Sequence, residues 1–514
     1  MPKPACTSER GLRARSNNWA RRSGRTLGLP ASRRGSVALA IAAAARLWTG
    51  EVAWSDGGDL LWEDQFDSGD SDFATRDGVV VDGSRAFVAG GATGASGVSD
   101  DFDWLVRAYD TQDGTLLWED RFDLASGRDS PLGITTGGGL VFVSGDATNS
   151  AGVLVPVIRA HDGRTGALLW QDVGAHQGLF DSAAVHGSAV VAIGAIGEDP
   201  SPDPGASFFF RGDWLVRAYD AMTGDLLWED RFGQPDPVGA VQLDRPVTVA
   251  AAGNRVFVGG RGRVAAGQAS RWIVRAHDAK NGALLWQDVV LGATPGQANS
   301  IAIEGDRLVA AGFLISQLSP FNLDWLIRAS DTETGELLWQ DVVNRGISSA
   351  EMALDLAVGE GRVFAVGTAG ATCRFDVVHP DNCDALIRAY ELDSGQFLWE
   401  DRFDDAPLDE YRSVAAKDDL VFATGIGAND CDYSGLPTNC DLLVRAYAAK
   451  TGQLVWEDQV DESGTDEEGN AIAVHGGRVL VTGNLFDGSA LFLSDLVVRA
   501  YDAGNGNEGD DEHD

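Results

Sequence analysis

The chain has 514 residues, with 77 Asp and Glu against 40 Lys and Arg and a formal net charge of −37. That balance excludes a nucleic-acid binder and a protein held by charge on an anionic membrane. Length alone would suggest about three domains, but an internal repeat overrides that expectation.

Residues 1–53 differ from the rest. They carry ten Arg or Lys and two acids, Glu9 and Glu51. Arg33 and Arg34 precede an apolar run from Val37 to Ala45. A basic region before a short apolar core reads as an export signal, and the run is too short to span a membrane. The alternative is a basic arm produced by a misplaced start. Without this segment the body holds 30 basic and 75 acidic residues. The expected location is therefore outside the cytoplasm, periplasmic or extracellular, with no transmembrane span in the mature chain.

From residue 54 to residue 502 one unit recurs. Its clearest copy is Trp104–Phe122, WLVRAYDTQDGTLLWEDRF. Two apolar runs rich in β-branched and aromatic residues flank a Gly-bearing turn, which predicts a β-hairpin. The second run recurs at Trp62, Trp118, Trp170, Trp228, Trp286, Trp339, Trp399 and Trp456. The first recurs at Arg107, Arg159, Arg217, Arg275, Arg328, Arg388, Arg445 and Arg499.

A second hairpin stands between each Trp run and the next Arg run, as in VVVDGSRAFVAG at 79–90. Its second strand ends in Gly: Gly90, Gly145, Gly194, Gly260, Gly312, Gly367, Gly425 and Gly483. Each unit thus has four strands, named A (VVVDG-like), B (RVFVAG-like), C (WLVRAYD-like) and D (LLWED-like).

The ends choose the architecture. Gly58–Phe66 is a D strand with no C strand before it, and Leu496–Asp502 is a C strand with no D strand after it. A solenoid has no use for two missing halves, whereas a closed ring completes one unit from them. The expected fold is all-β: a single eight-bladed β-propeller, four strands per blade, closed by the N-terminal strand pairing with the C-terminal ones. Residues 503–514 form an acidic tail.

The spacing Ala-x-Asp-x3-Gly-x3-Trp, as at Ala108, Asp110, Gly114 and Trp118, resembles the tryptophan-docking motif of the PQQ-type, quinoprotein-like propellers. Blades 6 and 7 depart from it, with Glu391 and Ala448 in the Asp place. The resemblance implies that each Trp packs between neighbouring blades. It gives two precedents for function: quinoprotein dehydrogenases, and the non-enzymatic propeller of the outer-membrane assembly lipoprotein.

Two charged positions repeat with the Trp. They are the Arg before each motif Ala and the Asp two residues after each Trp, as at Asp64, Asp120, Asp230 and Asp288. If strands C and D pair across a four-residue turn, Arg107 stands opposite Trp118 and near Asp120 within one blade. A third Asp, four before the Arg, occurs at Asp103, Asp213, Asp324, Asp384, Asp441 and Asp495. It is expected to cap a turn, with cation binding as the lesser reading.

The B–C and D–A connections are long, and propeller geometry puts both on one face, which is the expected working face. Phe208, Phe209 and Phe210 in the third B–C loop are candidate contact residues. Cys373 with Cys383 and Cys431 with Cys440 fall in two like-placed B–C loops. In an exported protein they read as two local disulfides, since their spacings fit no usual zinc site.

The catalytic signals are missing. The sequence has no adjacent Cys pair, no haem Cys-x-x-Cys-His, no His-Glu-x-x-His and no Gly-x-Ser-x-Gly. The expected function is a non-enzymatic exported scaffold that binds a protein or glycan of the cell envelope, as a monomer and without a cofactor. The alternative is an oxidoreductase using PQQ and Ca²⁺.

Overall fold

A computed structural model describes residues 57–504, apart from 95–100, 198–211, 234–243, 266–267, 291–294, 316–321, 346–348, 371–382, 406, 428–439, 462–465 and 487–492. The export segment and the acidic tail lie outside the described residues, as do Phe208, Phe209, Phe210, Cys373 and Cys431. The described residues are all β, and no helix among them is long and apolar enough to cross a membrane.

The strands form antiparallel sheets in the order A, B, C, D. Gly178–His186, Ala189–Ile196, Asp213–Asp220 and Leu226–Phe232 make one of them. Six sheets have four strands each, and the remaining one is two such sets joined at a single bridge between Asp77 and Gly133. The sheet holding Glu467–His475, Arg478–Phe486 and Ser494–Asp502 takes its fourth strand from the other end of the chain. Leu60–Phe66 pairs antiparallel with Ser494–Asp502, placing Trp62 opposite Ala500.

Sheets meet chiefly through their A strands. Asp72–Asp82 packs on Asp129–Gly137, that on Gly178–His186, and so on through Glu410–Lys417 and Glu467–His475, which packs in turn on Asp72–Asp82. This radial stacking of four-stranded sheets is a β-propeller. The cores are the apolar layers between sheets. Val191, Ile193 and Val216 of one sheet, for example, meet Val256, Val258 and Ile273 of the next.

Every A strand carries a bulge beside the B-strand glycine, and strand B runs past that glycine rather than ending at it, as Ala189–Ile196 runs past Gly194. In the third sheet Phe180 faces Gly194 and Ser182 faces Ile193, leaving Asp181 as the extra residue. The bulge brings an A-strand carbonyl into the place of a side chain. A Cβ on Gly145 would lie 2.1 Å from Ser130 O, and one on Gly260 would lie 2.3 Å from Arg245 O. Close backbone approach is thus the reason for a glycine at this point of each repeat.

Strands C and D are also offset by a bulge. Ala108, not Arg107, stands opposite Trp118, and Arg107 stands opposite Glu119. The expected Arg107–Trp118 pairing is therefore corrected by one residue. A one-residue shift turns the side chains to the other face, so Arg107 meets Asp64 of the preceding sheet, at 2.5 Å, rather than Asp120 of its own.

Candidate functional site

The boundary between sheets comes first, because it positions everything nearer the axis. Each D-strand Trp donates its indole N–H to a backbone carbonyl of the following unit. Trp62 reaches Thr111 O at 3.0 Å, Trp118 Gly163 O at 3.1 Å, Trp170 Ala221 O at 2.9 Å, and Trp228 Ala279 O at 2.9 Å. Trp286, Trp339, Trp399 and Trp456 do the same with Thr332, Leu392, Ala449 and Ala503. The indole lies where a Cβ on the motif glycine would be, 2.6 Å away for Gly166 and Trp118.

The Arg and Asp repeats join the same boundary. Arg159 meets Asp120 at 2.5 Å, Arg217 meets Asp172 at 3.0 Å, and Arg445 meets Asp401 at 3.0 Å. Tyr219 and Tyr447 donate their hydroxyls to these same carboxylates at 2.6 and 2.9 Å. At His161 an imidazole replaces the phenol, 3.2 Å from Asp120. Burial holds its pKa well below the usual histidine range.

The axis is lined by the bulge residues of the A strands. In chain order these are Thr75 to Gly78, Leu132, Asp181, Val247, Asn299, Leu354, Arg412 and Asn470. Most of the polar ones are engaged across sheets. Arg245 grips Asp181 with Nε at 2.9 and 2.7 Å from its two oxygens. Asn299 donates to Ala353 O at 2.7 Å, Arg412 to Asn470 Oδ1 at 2.8 Å, and Asn470 to Ala74 O at 3.2 Å. Asp355, next to a bulge, accepts from Ser300, Leu356 N, Ser413 and Val414 N, all within 3.1 Å.

Asp77 is different. It is exposed to solvent, yet desolvation by the surrounding protein pushes its pKa up to about 6, with the carboxylates of Asp355 and Asp181 adding to the rise. Sequence reasoning missed all of these axial residues. The only signal was a polar residue at a fixed distance before the B-strand glycine in some repeats, as at Asp181, Asn299, Arg412 and Asn470; Leu132, Val247 and Leu354 stand there in others.

A second set of acids opens the A strands. Asp72, Asp129, Asp244, Glu351, Asp409 and Glu467 are all fully buried. Asp129 accepts from Leu124 N at 2.8 Å and Thr148 N at 2.7 Å, so it ties the D–A connection to strand B. Desolvation is the main reason its pKa rises to about 7.

The third-Asp set is scattered over several roles. Asp384 pairs with Arg402 at 2.6 Å and Asp441 accepts from Gln459 at 2.7 Å. Asp495 accepts from Gln65 at 2.6 Å, and with Asp67 and Asp72 it brings three carboxylate oxygens within 4.8 Å of one another. Of the cysteines, Cys383 and Cys440 are buried at the entry to their C strands.

Residues 33–199 and 270–381 match the family model described as "Outer membrane protein assembly factor BamB". No curated protein sequence matches. Among solved structures, the chain is similar to a europium-containing methanol dehydrogenase, at 11% identity and a TM-score of 0.54, covering 86% of this chain and 93% of that one. It is equally similar to the quinohemoprotein alcohol dehydrogenase from Comamonas testosteroni, at 13% identity and a TM-score of 0.54, covering 89% of this chain and 78% of that one. At these identities the likeness concerns the fold.

Proposed function

The chain belongs to the family of the outer membrane protein assembly factor BamB, and on that premise we propose that it is an exported, non-enzymatic propeller that binds a protein or glycan of the cell envelope. The ring has eight blades and closes through the strand Leu60–Phe66. Support for closure comes from the in-register pairing of that strand with Ser494–Asp502. It comes also from the hydrogen bonds that carry Asn470 and Ser494 onto the first A strand.

The observation that carries the scaffold reading is that the charged groups at or beside the bulges, Arg76 and Asp77 of the first A strand apart, are committed to protein partners. Asp181 is gripped by Arg245, Asp355 has four donors, and Arg412 is spread over Glu410, Glu468 and Asn470. Groups held this way pin blades together, whereas a general base must keep an oxygen ready for substrate. PQQ is a flat tricarboxylate that needs an aromatic wall and cationic partners, and none of the bulge residues is aromatic. Cationic side chains are present there, at Arg76 and Arg412, but an aromatic wall is not found among the bulge residues.

Binding then falls to the B–C and D–A connections of one face, including the loop with Phe208, Phe209 and Phe210. The bonds Cys373–Cys383 and Cys431–Cys440 belong to this reading, as does the Trp series as wedges between blades. Non-reducing peptide mapping that found a bond between the two cysteine loops would reject that pairing.

The test of function uses the full chain as bait in an envelope extract. One partner retained in stoichiometric amount, together with no dye-linked alcohol oxidation after PQQ and Ca²⁺ are added, is the expected result. PQQ-dependent turnover would overturn the scaffold reading in favour of an oxidoreductase.

A further inference from the structure

The C–D turns repeat one hydrogen bond. The side chain before the motif glycine accepts from the backbone N–H two residues further on. Thr165, Thr223, Thr334, Ser394 and Thr451 do so with a hydroxyl, at 3.1–3.4 Å. In the fourth sheet Asn281 takes that place, and its Oδ1 accepts from Ala283 N at 2.9 Å. Asn281 is exposed, and it forms the one Asn-Gly step among the described residues. The exchange keeps the turn but puts an amide carbonyl where most repeats have a hydroxyl.

That carbonyl is open to attack from its own chain, because in an Asn-Gly step no side chain shields the following nitrogen. The Gly282 nitrogen bonds to Asn281 Cγ and closes a cyclic imide, while the side-chain nitrogen departs as ammonia with the proton that Gly282 sheds. Water then opens the ring, leaving aspartate or isoaspartate. The docked turn opposes this on both sides of Gly282. Gly282 N donates to Asp278 O at 2.9 Å, and Gly282 O accepts from His277 Nδ1 at 3.1 Å. Trp228 of the preceding sheet lies against the same glycine, where a Cβ would be 2.5 Å from its ring, and donates to Ala279 O at 2.9 Å. Asp113 before Gly114 is the nearest relative in the first sheet. Hydrogen bonds from Thr115 hold its carboxyl below the usual carboxylate range, and an ionised carboxylate is a poor target for the attack.

We propose that Asn281 is a deamidation site that the docked Trp228 holds in check. While the third and fourth sheets stay wedged together, Gly282 N is tied and the amide survives. When that boundary opens, the turn loses its clamp and the attack proceeds. The product does not return to the starting state. Isoaspartate places an extra main-chain carbon beside Gly282, where the indole already leaves no room for a Cβ. The modified chain therefore docks Trp228 poorly, and the boundary opens more readily afterwards. The inference stands apart from the scaffold reading, because it concerns how the ring ages rather than what it binds.

Peptide mapping by mass spectrometry tests it, on the full chain incubated at pH 8 in buffer and in guanidinium chloride. Asn281 should convert at least about tenfold more slowly in the folded chain, since one hydrogen bond is worth about that factor. Trp228→Ala should speed conversion in buffer several-fold. If it does not fold, Trp228→Phe keeps an aromatic wedge, cannot donate to Ala279 O, and should still speed conversion with a cooperative melting curve. Asn281→Thr restores the hydroxyl of the other repeats and should abolish the product without changing the melting curve. The converted chain carries an added negative charge, is separated by anion exchange, and should melt below the unconverted one. Equal rates in buffer and denaturant, or an unchanged rate in a folded Trp228 variant, overturn the control by Trp228. Absence of conversion in denaturant overturns the site itself. Identical melting curves for converted and unconverted chains overturn the loosening of the boundary.

Discussion

Arg275 Nη1 reaches Asp230 Oδ2 at 2.9 Å across the boundary between two sheets, not Asp288 of its own hairpin. Asp230 belongs to the strand Leu226–Phe232, whose Trp228 also crosses that boundary to Ala279 O. One strand therefore delivers both an apolar wedge and a charge to its neighbour. Removing Asp230 by Asp230→Ala leaves a largely buried guanidinium uncompensated and should cost about 1–3 kcal/mol. A double-mutant cycle by urea unfolding is expected to show coupling between Arg275 and Asp230 and none between Arg275 and Asp288. The opposite pattern would mean that the ion pairs lie within blades.

The glycine under each indole gives a sharper comparison. Gly166 and Gly83 both have positive φ, +73° and +60°. A Cβ on Gly166 would meet Trp118 at 2.6 Å, whereas one on Gly83 meets nothing within 4 Å. Gly83→Ala should cost about 1 kcal/mol of backbone strain alone. Gly166→Ala should cost at least about 2 kcal/mol, because the indole must also move. Trp118→Ala itself should cost roughly 3–5 kcal/mol. Equal losses for the two glycine variants would remove the wedge from the account.

Buried carboxyls set the pH dependence. Desolvation raises Asp129 and Asp146 to about 7, and Asp72 and Asp77 to about 6. An acid with a raised folded pKa binds its proton more tightly in the native state. Its contribution is complete below the unfolded value of 3.8 and is lost as pH rises through 6 to 7. His161, held low by burial, acts in the other direction, losing stability as pH falls. The carboxyls outnumber it, so the melting temperature at pH 5 should exceed that at pH 8 at fixed ionic strength. Asp129→Asn should narrow the gap, and an unchanged gap would assign the effect elsewhere.

Cations should act mainly by screening. Asp67, Asp72 and Asp495 converge, but Asp72 already accepts from Ser68 N at 2.6 Å and Ser68 Oγ at 2.8 Å, and Asp495 accepts from Gln65. NaCl is therefore expected to raise the melting temperature of this acidic protein, with CaCl₂ at matched ionic strength adding little. A large Ca²⁺-specific rise that Asp67→Asn abolished would identify a metal site.

Ring closure predicts unequal ends. Deleting 54–66 removes Trp62 and the strand that pairs with Ser494–Asp502, while deleting 505–514 removes no described contact. The first truncation should lower the melting temperature far more than the second. Equal melting curves would count against closure through Leu60–Phe66.

The sequence by itself determined the four-strand unit and its order, because strand periodicity, turn glycines and Trp spacing are local and repeat many times. It also revealed that the orphan strands at the two ends are complementary, and that Trp, Arg, Asp and glycine recur together. Which sheet each recurring charge serves was not legible. A single bulge between Ala108 and Tyr109 moves Arg107 from Trp118 to Glu119, and local spacing does not reveal the bulge. The axial residues were hidden for the same reason. Asp181, Asn299, Arg412 and Asn470 are far apart in the chain and come to the axis only because each A strand bulges against a glycine. Only the tertiary structure decides that Asp181 belongs to Arg245, 64 residues away in the chain, since partnership there depends on how successive sheets stack.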